Sequence, residues 1–436
     1  LIPEIFLSIS IFSLLMIGVF IKNSFEIIYR LSLVVIFAII LIILTGDNDN
    51  TKIFSESFVI DKFSLYSKSL ILTSALFVLL ISKSYIIDIK NNKFEYPIII
   101  LLSILGMFIM VSSNDLILFY LGLELQSLAL YILASIDRDN IKSSEAGIKY
   151  FVLSALSSGL LLYGCSLIYG FSGSTNFEQI SILSKDFNAG TIFGMVFILV
   201  GLSFKISAVP FHMWTPDVYQ GSPTSVTSFF SVVPKVAGIA IFIKFMYLPF
   251  RGLLSEWQYI LVFMSIASMI LGAVAAMSQS NIKRLMAYSS IGHIGYAIAG
   301  IAAGTENGFK STLVYISIYV VMNIGAFGCI LLMKRGGKYV EEIEELSGIS
   351  KNHPLMSLGL LIILFSLAGI PPLAGFFAKF YIFMAVIESE MYTLAIVGLV
   401  TTVVSAFYYL RIIKIMYFDE TRKPFEKFND YKIYGS

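Results

Sequence analysis

The sequence predicts an all-α, polytopic membrane protein. Of its 436 residues, 57% are hydrophobic and only 13% are charged, against about 25% charged in soluble domains. Mean hydropathy is +0.86. Apolar runs of about twenty residues, the length that crosses a bilayer, recur between short polar gaps. So little polar surface cannot cover a soluble globule of this size, which excludes a cytosolic enzyme. Lys and Arg number 30 against 28 Asp and Glu, a formal net charge of +2, so no basic excess points to nucleic acid. Cys165 and Cys329 are the only cysteines, both inside apolar runs. They offer neither a disulfide framework nor an iron–sulfur site.

Taken in order, the runs give about thirteen spans, near 3–21, 27–45, 64–82, 97–113, 115–135, 146–170, 191–216, 223–247, 257–278, 285–304, 309–333, 354–386 and 392–417. The Gly46–Asn50 cluster closes the second span and Asn91-Asn92 the third. Gly173 closes the sixth, and Gly221-Ser222-Pro223 separates the seventh from the eighth. The first span lacks a basic leader and a small-residue cleavage site, so it reads as a permanent helix. An opening Leu1 rather than Met points to residues removed or not shown ahead of it. Lys and Arg collect on the cytoplasmic or matrix side. Lys83/Lys90/Lys93, Lys283-Arg284, Lys334-Arg335 and the Arg411–Lys432 tail fall on one side. That places the N-terminus outside and the tail inside.

Glu124, Lys149, Lys205, Lys235 and Lys379 lie well inside spans, where such a residue costs about 2.5–3.5 kcal/mol to insert. Lys149 is close enough to a loop to snorkel to the interface. Lys205 and Lys235 are too far from either end for that. A structural salt bridge is the plainer alternative for them, and a proton relay is the functional one. Burial disfavours an ammonium and a nearby carboxylate favours it, so a lysine held between the two loads and releases a proton as its partner moves. Glu124 is followed by Gln126 and Ser127, side chains suited to holding waters.

Two spans carry prolines at depth, one at Ser207-Ala208-Val209-Pro210 and one at Gly369-Ile370-Pro371-Pro372. Proline frees carbonyls that only neighbours or water can satisfy. A packing kink explains Pro234 equally well, but it does not explain a lysine near each of the two breaks. The broken spans are the seventh and the twelfth. Five-helix units 4–8 and 9–13 would therefore be inverted relative to each other, a recurrent transporter arrangement. The expected divisions are 1–96 for the first three helices, 97–247 and 248–418 for the two repeats, and 419–436 for a polar tail.

The run from Lys205 to Phe229 (KISAVPFHMWTPDVYQGSPTSVTSF) closely resembles the antiporter-like subunits of respiratory complex I. Within them it resembles the subunit N group, called NADH dehydrogenase subunit 2 in mitochondria. Supporting stretches are Leu123–Leu128, Glu145–Tyr150, Ile282–His293, Leu367–Pro372 and Phe377–Phe380. The resemblance runs from about the fourth span onward; the first three spans match mainly in position and hydropathy. It implies fourteen helices, placing a further one beyond Ser436, and it implies the inverted repeats. No long lateral helix like that of the distal family member is visible. By motif, Glu124 matches the family's fifth-helix carboxylate and Lys149 its sixth-helix lysine. Lys205 matches the broken-helix lysine, Lys235 the lysine bridging the half-channels and Lys379 that of the second broken helix. His212 and His293 match polar positions along the water path.

The resemblance implies a membrane-arm subunit of NADH:ubiquinone oxidoreductase that translocates protons, with the other membrane-arm subunits and membrane lipids as partners. The complex uses NADH, FMN, iron–sulfur clusters and ubiquinone. This chain is expected to bind none of these cofactors, since it carries no strand–glycine loop–helix unit. A phospholipid such as cardiolipin fits its basic rim. The alternatives are a subunit of a multisubunit sodium (or other cation)/proton antiporter and a structural spacer without its own proton path. The stretch His212–Gln220 looks more like subunit N than like the antiporter subunits. Lysine far outnumbers arginine, which suggests an AT-rich genome. The Leu161–Ser174 stretch resembles organellar members, favouring the mitochondrial inner membrane over a bacterial cytoplasmic membrane. The charged stretch 334–353 reads as a solvated loop on the inner side.

Overall fold

The computed structural model describes residues 1–46, 50–183 and 189–426. Residues 47–49 of the expected breaker cluster, and the tail beyond 426 with Lys432, lie outside the described residues. The chain begins with α1 (Ile2–Phe20) and α2 (Phe25–Thr45). A small hairpin follows, β1 (Thr51–Ile53) paired antiparallel with β2 (Phe58–Ile60), and then α3 (Lys62–Asp88). Next come α4 (Glu95–Ser112), α5 (Leu116–Ala134), α6 (Ile141–Ser172), the short α7 (Phe177–Leu183), α8 (Ala189–Ile206), α9 (Trp214–Gly221) and α10 (Thr224–Tyr247). The remainder is α11 (Leu254–Met277), α12 (Ile282–Ala302), α13 (Glu306–Ile330), the hairpin β3 (Lys334–Arg335) with β4 (Lys338–Tyr339), α14 (Ile349–Asn352), α15 (Pro354–Ala368), α16 (Ala374–Glu388) and α17 (Tyr392–Phe418). Among the described residues 12 helices are long and apolar enough to cross a membrane, and α15 is a shorter apolar one.

Polar caps set the helix starts that hydropathy misses. Asn140 accepts from the Lys142 amide at 3.0 Å, so α6 begins a full turn before its apolar run. Asp115 caps α5 through the amides of Ile117 and Leu118. Asn281 caps α12 through those of Lys283 and Arg284. Each cap satisfies amides that the first turn leaves without partners. Gly173, at φ +71°, closes α6 in the left-handed conformation that glycine adopts without strain. The third span runs on to Asp88, six residues past the expected end, and stops where Lys90 takes a positive φ.

The expected seventh and twelfth spans are each broken. Between α8 and α9 the chain leaves helix at Ser207, and between α15 and α16 at Gly369, both with positive φ. The stretch 334–353 is not the plain solvated loop its charge suggested. Ile343, Leu346 and Ile349 plug into a core with Met333, Leu364 and Phe425. The apolar residues interleaved among its glutamates make it a strap anchored from beneath.

The chain forms two compact units. The first comprises Leu1–Leu79, Asn91–Ser207 and Gly221–Ile260; the second comprises Leu80–Lys90, Ala208–Gln220 and the residues from Leu261 onward. Within the first unit α4 and α5 meet at two glycines. A Cβ on Gly106 would lie 2.5 Å from the Gln126 amide nitrogen, and one on Gly122 would lie 2.7 Å from that of Met110. Backbones approach this closely in membranes only over small residues.

Candidate functional site

In the first unit, α5, α6 and α8 bring together the side chains around Lys205. Its Nζ donates to Ser127 Oγ at 2.6 Å and to Ser154 Oγ at 2.7 Å, and it lies 3.4 Å from Tyr131 Oη. Tyr131 in turn donates to Ser154 at 2.5 Å. The ammonium makes no ion pair among the described residues. Its solvation is hydroxyl rather than carboxylate, although Glu124, one turn before Ser127, is within electrostatic reach. Oε1 of Glu124 is buried with no hydrogen-bond partner among the described residues, and so are Gln126 Oε1 and the hydroxyls of Ser157 and Ser158. Buried polar atoms are nearly always satisfied by protein or ordered water, so these orphaned groups on α5 and α6 mark positions suited to water.

Lys235 is 1% exposed, directly after Pro234 in α10, which is buried from Thr224 to Met246. Lys149 stands apart. Its side chain is 42% exposed and pairs with Glu145 one turn earlier at 2.7 Å. That geometry fits the snorkelling alternative.

In the second unit the Lys379 ammonium caps the end of the half-helix α15. It donates to the carbonyls of Leu367 at 3.2 Å and Ala368 at 3.0 Å, and it lies 5.0 Å from the centre of the Tyr296 ring. A cation is favoured there because the last carbonyls of a helix carry partial negative charge. Gly375 makes the break possible: a Cβ at this position would collide with the Ser366 carbonyl. His293 joins α12 to α13 and α17, with Nδ1 2.6 Å from Tyr315 Oη and Nε2 3.1 Å from Tyr409 Oη. Tyr409 continues to Ser289 at 2.5 Å. Tyr296 is held by Thr401 and Thr402 of α17. His212 lies in the break before α9, and its buried Nδ1 has no hydrogen-bond partner among the described residues. In the same break the Val209 amide donates to Ser268 Oγ at 2.9 Å.

Sequence reasoning passed over three charged residues. Lys68 of α3 is 1% exposed and pairs with Glu4 of α1 at 2.6 Å, between the rings of Phe58 and Phe108. Lys244 of α10 is buried and donates to the Val111 carbonyl at 3.0 Å. All three lie close to the ends of their predicted spans, where a charge reads as interfacial. The signal that finds Glu4 and Lys68 is the pairing of an acid in one span with a base in another at matching depth; Lys244, bonded to a backbone carbonyl, carries no such signal.

Pro-broken spanning helices with a buried ammonium beside each break define the antiporter-like class of polytopic membrane proteins. Residues 113–405 match the family model for the transmembrane region of NADH:quinone oxidoreductase and Mrp antiporters. The chain belongs to this family and, within it, to the NADH-quinone oxidoreductase subunit N group. It is 59% identical over 435 residues to subunit N of Pelagibacter ubique, covering 100% of this chain and 92% of that protein. It is 54% identical over 426 residues to subunit N of Parvibaculum lavamentivorans, covering 97% and 88%. A chain of respiratory complex I from Thermus thermophilus with bound aureothin superposes with a TM-score of 0.84 at 30% identity, covering 97% of this chain and 91% of that one.

Proposed function

We propose that this chain is a proton-carrying membrane-arm subunit of a bacterial NADH:quinone oxidoreductase. It lies in the cytoplasmic membrane with its N-terminus on the periplasmic side. The reading rests on kinship with subunit N and on the basic bias of the loops assigned to the inner side. The bacterial relatives favour this membrane over the mitochondrial one. NADH, FMN, iron–sulfur clusters and quinone belong to the rest of the complex, and anionic lipid at the basic rim is part of the same proposal. The working division is 1–96, 97–247, 248–418 and 419–436.

The observation that carries the mechanism is Lys205, a buried ammonium held by two serine hydroxyls at 2.6 and 2.7 Å and paired with no carboxylate among the described residues. Such a lysine can gain or lose a partner charge. Moving one charge against 100 mV costs about 2.3 kcal/mol. Bringing a carboxylate to ~4 Å from an ammonium is worth about 4 kcal/mol at an effective dielectric of 20. Approach and retreat of one carboxylate, with Glu124 best placed, is therefore large enough to load and unload Lys205. Lys235, His212, His293 and Lys379 are assigned to further steps of the relay, and Lys149 to its rim.

The test is Lys205→Met in the complete complex, reconstituted in proteoliposomes and driven by NADH. The complex assembles and proton pumping falls. Undiminished pumping removes Lys205 from the relay. Pumping that requires sodium would favour the cation/proton antiporter reading instead.

A further inference from the structure

We infer that Glu341 and Lys283 form a proton-collecting entrance to the polar file of the second unit, an assignment that rests on the proton-carrying reading above. α12 is the least apolar of the long helices, yet almost all of it is buried. It encloses Lys283, Ser289, Ser290, His293 and Tyr296, each no more than 4% exposed. Five polar side chains along one enclosed helix need an origin at water.

That origin lies at its first turn. The Lys283 side chain is 3% exposed, and its ammonium sits 2.6 Å from Oε1 of Glu341, whose own side chain is 31% exposed on the strap. Oε2 of the same carboxylate accepts from Asn281 Nδ2 at 3.2 Å. One oxygen of a partly wetted acid is thus aimed at a buried base. The neighbouring cations are otherwise engaged. Arg284 donates to Asp217 and Gln220, and Arg411 of α17 donates to the Met277 carbonyl. Glu342 follows on the strap and Tyr339 precedes it, with Tyr339 bonded to Asp88.

The ion pair is not needed to seat the strap. The Ile282 amide donates to the Glu341 carbonyl and the Ile343 amide to the Ser280 carbonyl, both at 2.8 Å. Ile343 and Leu346 are buried beneath. A buried pair adds little stability over packed apolar residues, so a role beyond anchoring fits this one better.

The step balances with one proton. Glu341 takes a proton from hydronium and becomes the neutral acid. Lys283 passes its own proton toward the ring of His293, the titratable acceptor of the file, and the resulting amine recovers the one held by Glu341, restoring the pair. Ser290 follows Lys283 by seven residues on the same helix face, about 10 Å along the axis; Ser289 directly precedes it and His293 lies in the next turn. Water or side-chain motion must cover that distance.

Glu341→Ala, in the complete complex in proteoliposomes, tests the entrance. Without the acid, hydronium must reach Lys283 directly, a supply that falls about tenfold for each unit of rising pH. Pumping per electron in the variant is expected near wild type at pH 6 and several-fold lower at pH 8.5. Formate or imidazole is expected to restore it at the higher pH, and Glu341→Asp to retain it. A deficit equal at all pH values and indifferent to small buffers overturns the entrance, because a purely structural pair behaves that way. Lys205→Met run alongside separates the two claims. If it abolishes pumping while Glu341→Ala pumps normally at every pH, the entrance alone fails. If both pump normally, the proton-carrying reading fails.

Discussion

Lys68 meets the carboxylate of Glu4 at 2.6 Å with its side chain 1% exposed, whereas Lys205, in the same unit, lies 2.6–3.4 Å from the hydroxyls of Ser127, Ser154 and Tyr131 and makes no ion pair among the described residues. The two lysines carry the same charge into the same protein and are treated in opposite ways. The first is locked to a fixed counter-charge and walled by Phe58 and Phe108. The second is held by hydroxyls, with Glu124 within electrostatic reach but not in contact. The first arrangement fastens helices, and the second leaves a group able to change state.

Lys68→Met strands the Glu4 carboxylate in apolar surroundings. Breaking a buried pair from one side costs about 3–5 kcal/mol, while replacing both charges is often neutral. The single variant is expected to lower the thermal stability of the purified complex and to expose α1 to protease. The double variant Glu4→Gln/Lys68→Met is expected to recover most of that loss. A double variant as unstable as the single one would mean that the pair is not what joins α1 to α3.

Ser127→Ala with Ser154→Ala removes both close acceptors from Lys205. Hydrogen bonds to charged groups are worth about 1.5–3 kcal/mol each, so the lysine should hold its proton less readily and pumping should slow while assembly persists. Glu124→Gln, which removes the charge within reach of Lys205, is expected to lower pumping and quinone reduction together. Full rates in Glu124→Gln would count against this carboxylate.

The spans were legible because hydrocarbon imposes one rule on all of them, and the two breaks were legible because proline and a deep lysine occur together in each. Two kinds of feature stayed hidden. Lys205 and Lys379 looked alike in sequence, yet one is held by hydroxyls from α5 and α6 and the other by carbonyls of a helix end. Such partners are set by tertiary packing, and serines and backbone carry no distinctive spacing. The strap at 334–346 was hidden because its charges outnumber Ile343 and Leu346, the residues that bury it.

Gly122→Leu should prevent α4 and α5 from closing. Even a single Cβ there would sit 2.7 Å from the Met110 amide nitrogen, a backbone atom that cannot swing aside. Overpacking of this kind costs about 1–3 kcal/mol per site in ordinary cores, and a backbone collision belongs at the upper end. Loss of the chain from the assembled complex on a native gel is the expected result. Normal assembly would show that the two helices can separate without penalty.

The strap should loosen in alkali. A hydrogen bond to Asp88 raises the Lys334 ammonium above its ordinary value; burial, followed by Asp88, does the same for the Tyr339 hydroxyl. A group whose folded value is raised contributes fully below its unfolded value, about 10 for both residue types, and loses that contribution as pH rises through the folded one. Amide exchange across 334–346, corrected for its intrinsic pH dependence, should stay slow to about pH 10 and quicken above it. Because Lys334 and Asp88 are both partly exposed, the effect is modest and screened by salt. Protection that is already lost at neutral pH would contradict these contacts.

The helix-end contact of Lys379 and its proposed relay role can be separated by substitution. Its ammonium satisfies the carbonyls of Leu367 and Ala368 where α15 stops, and unsatisfied backbone in a membrane interior costs several kcal/mol. The proposed relay role requires in addition that it give up a proton. Lys379→Arg keeps a cation with hydrogen-bond donors at the helix end but holds its proton throughout the accessible pH range. Lys379→Met loses both properties. The arginine variant is therefore expected to assemble and to pump poorly, and the methionine variant to assemble poorly as well. Should Lys379→Arg pump at the wild-type rate, the residue is a cap alone and the relay of the second unit must run through His293 and its tyrosines without it.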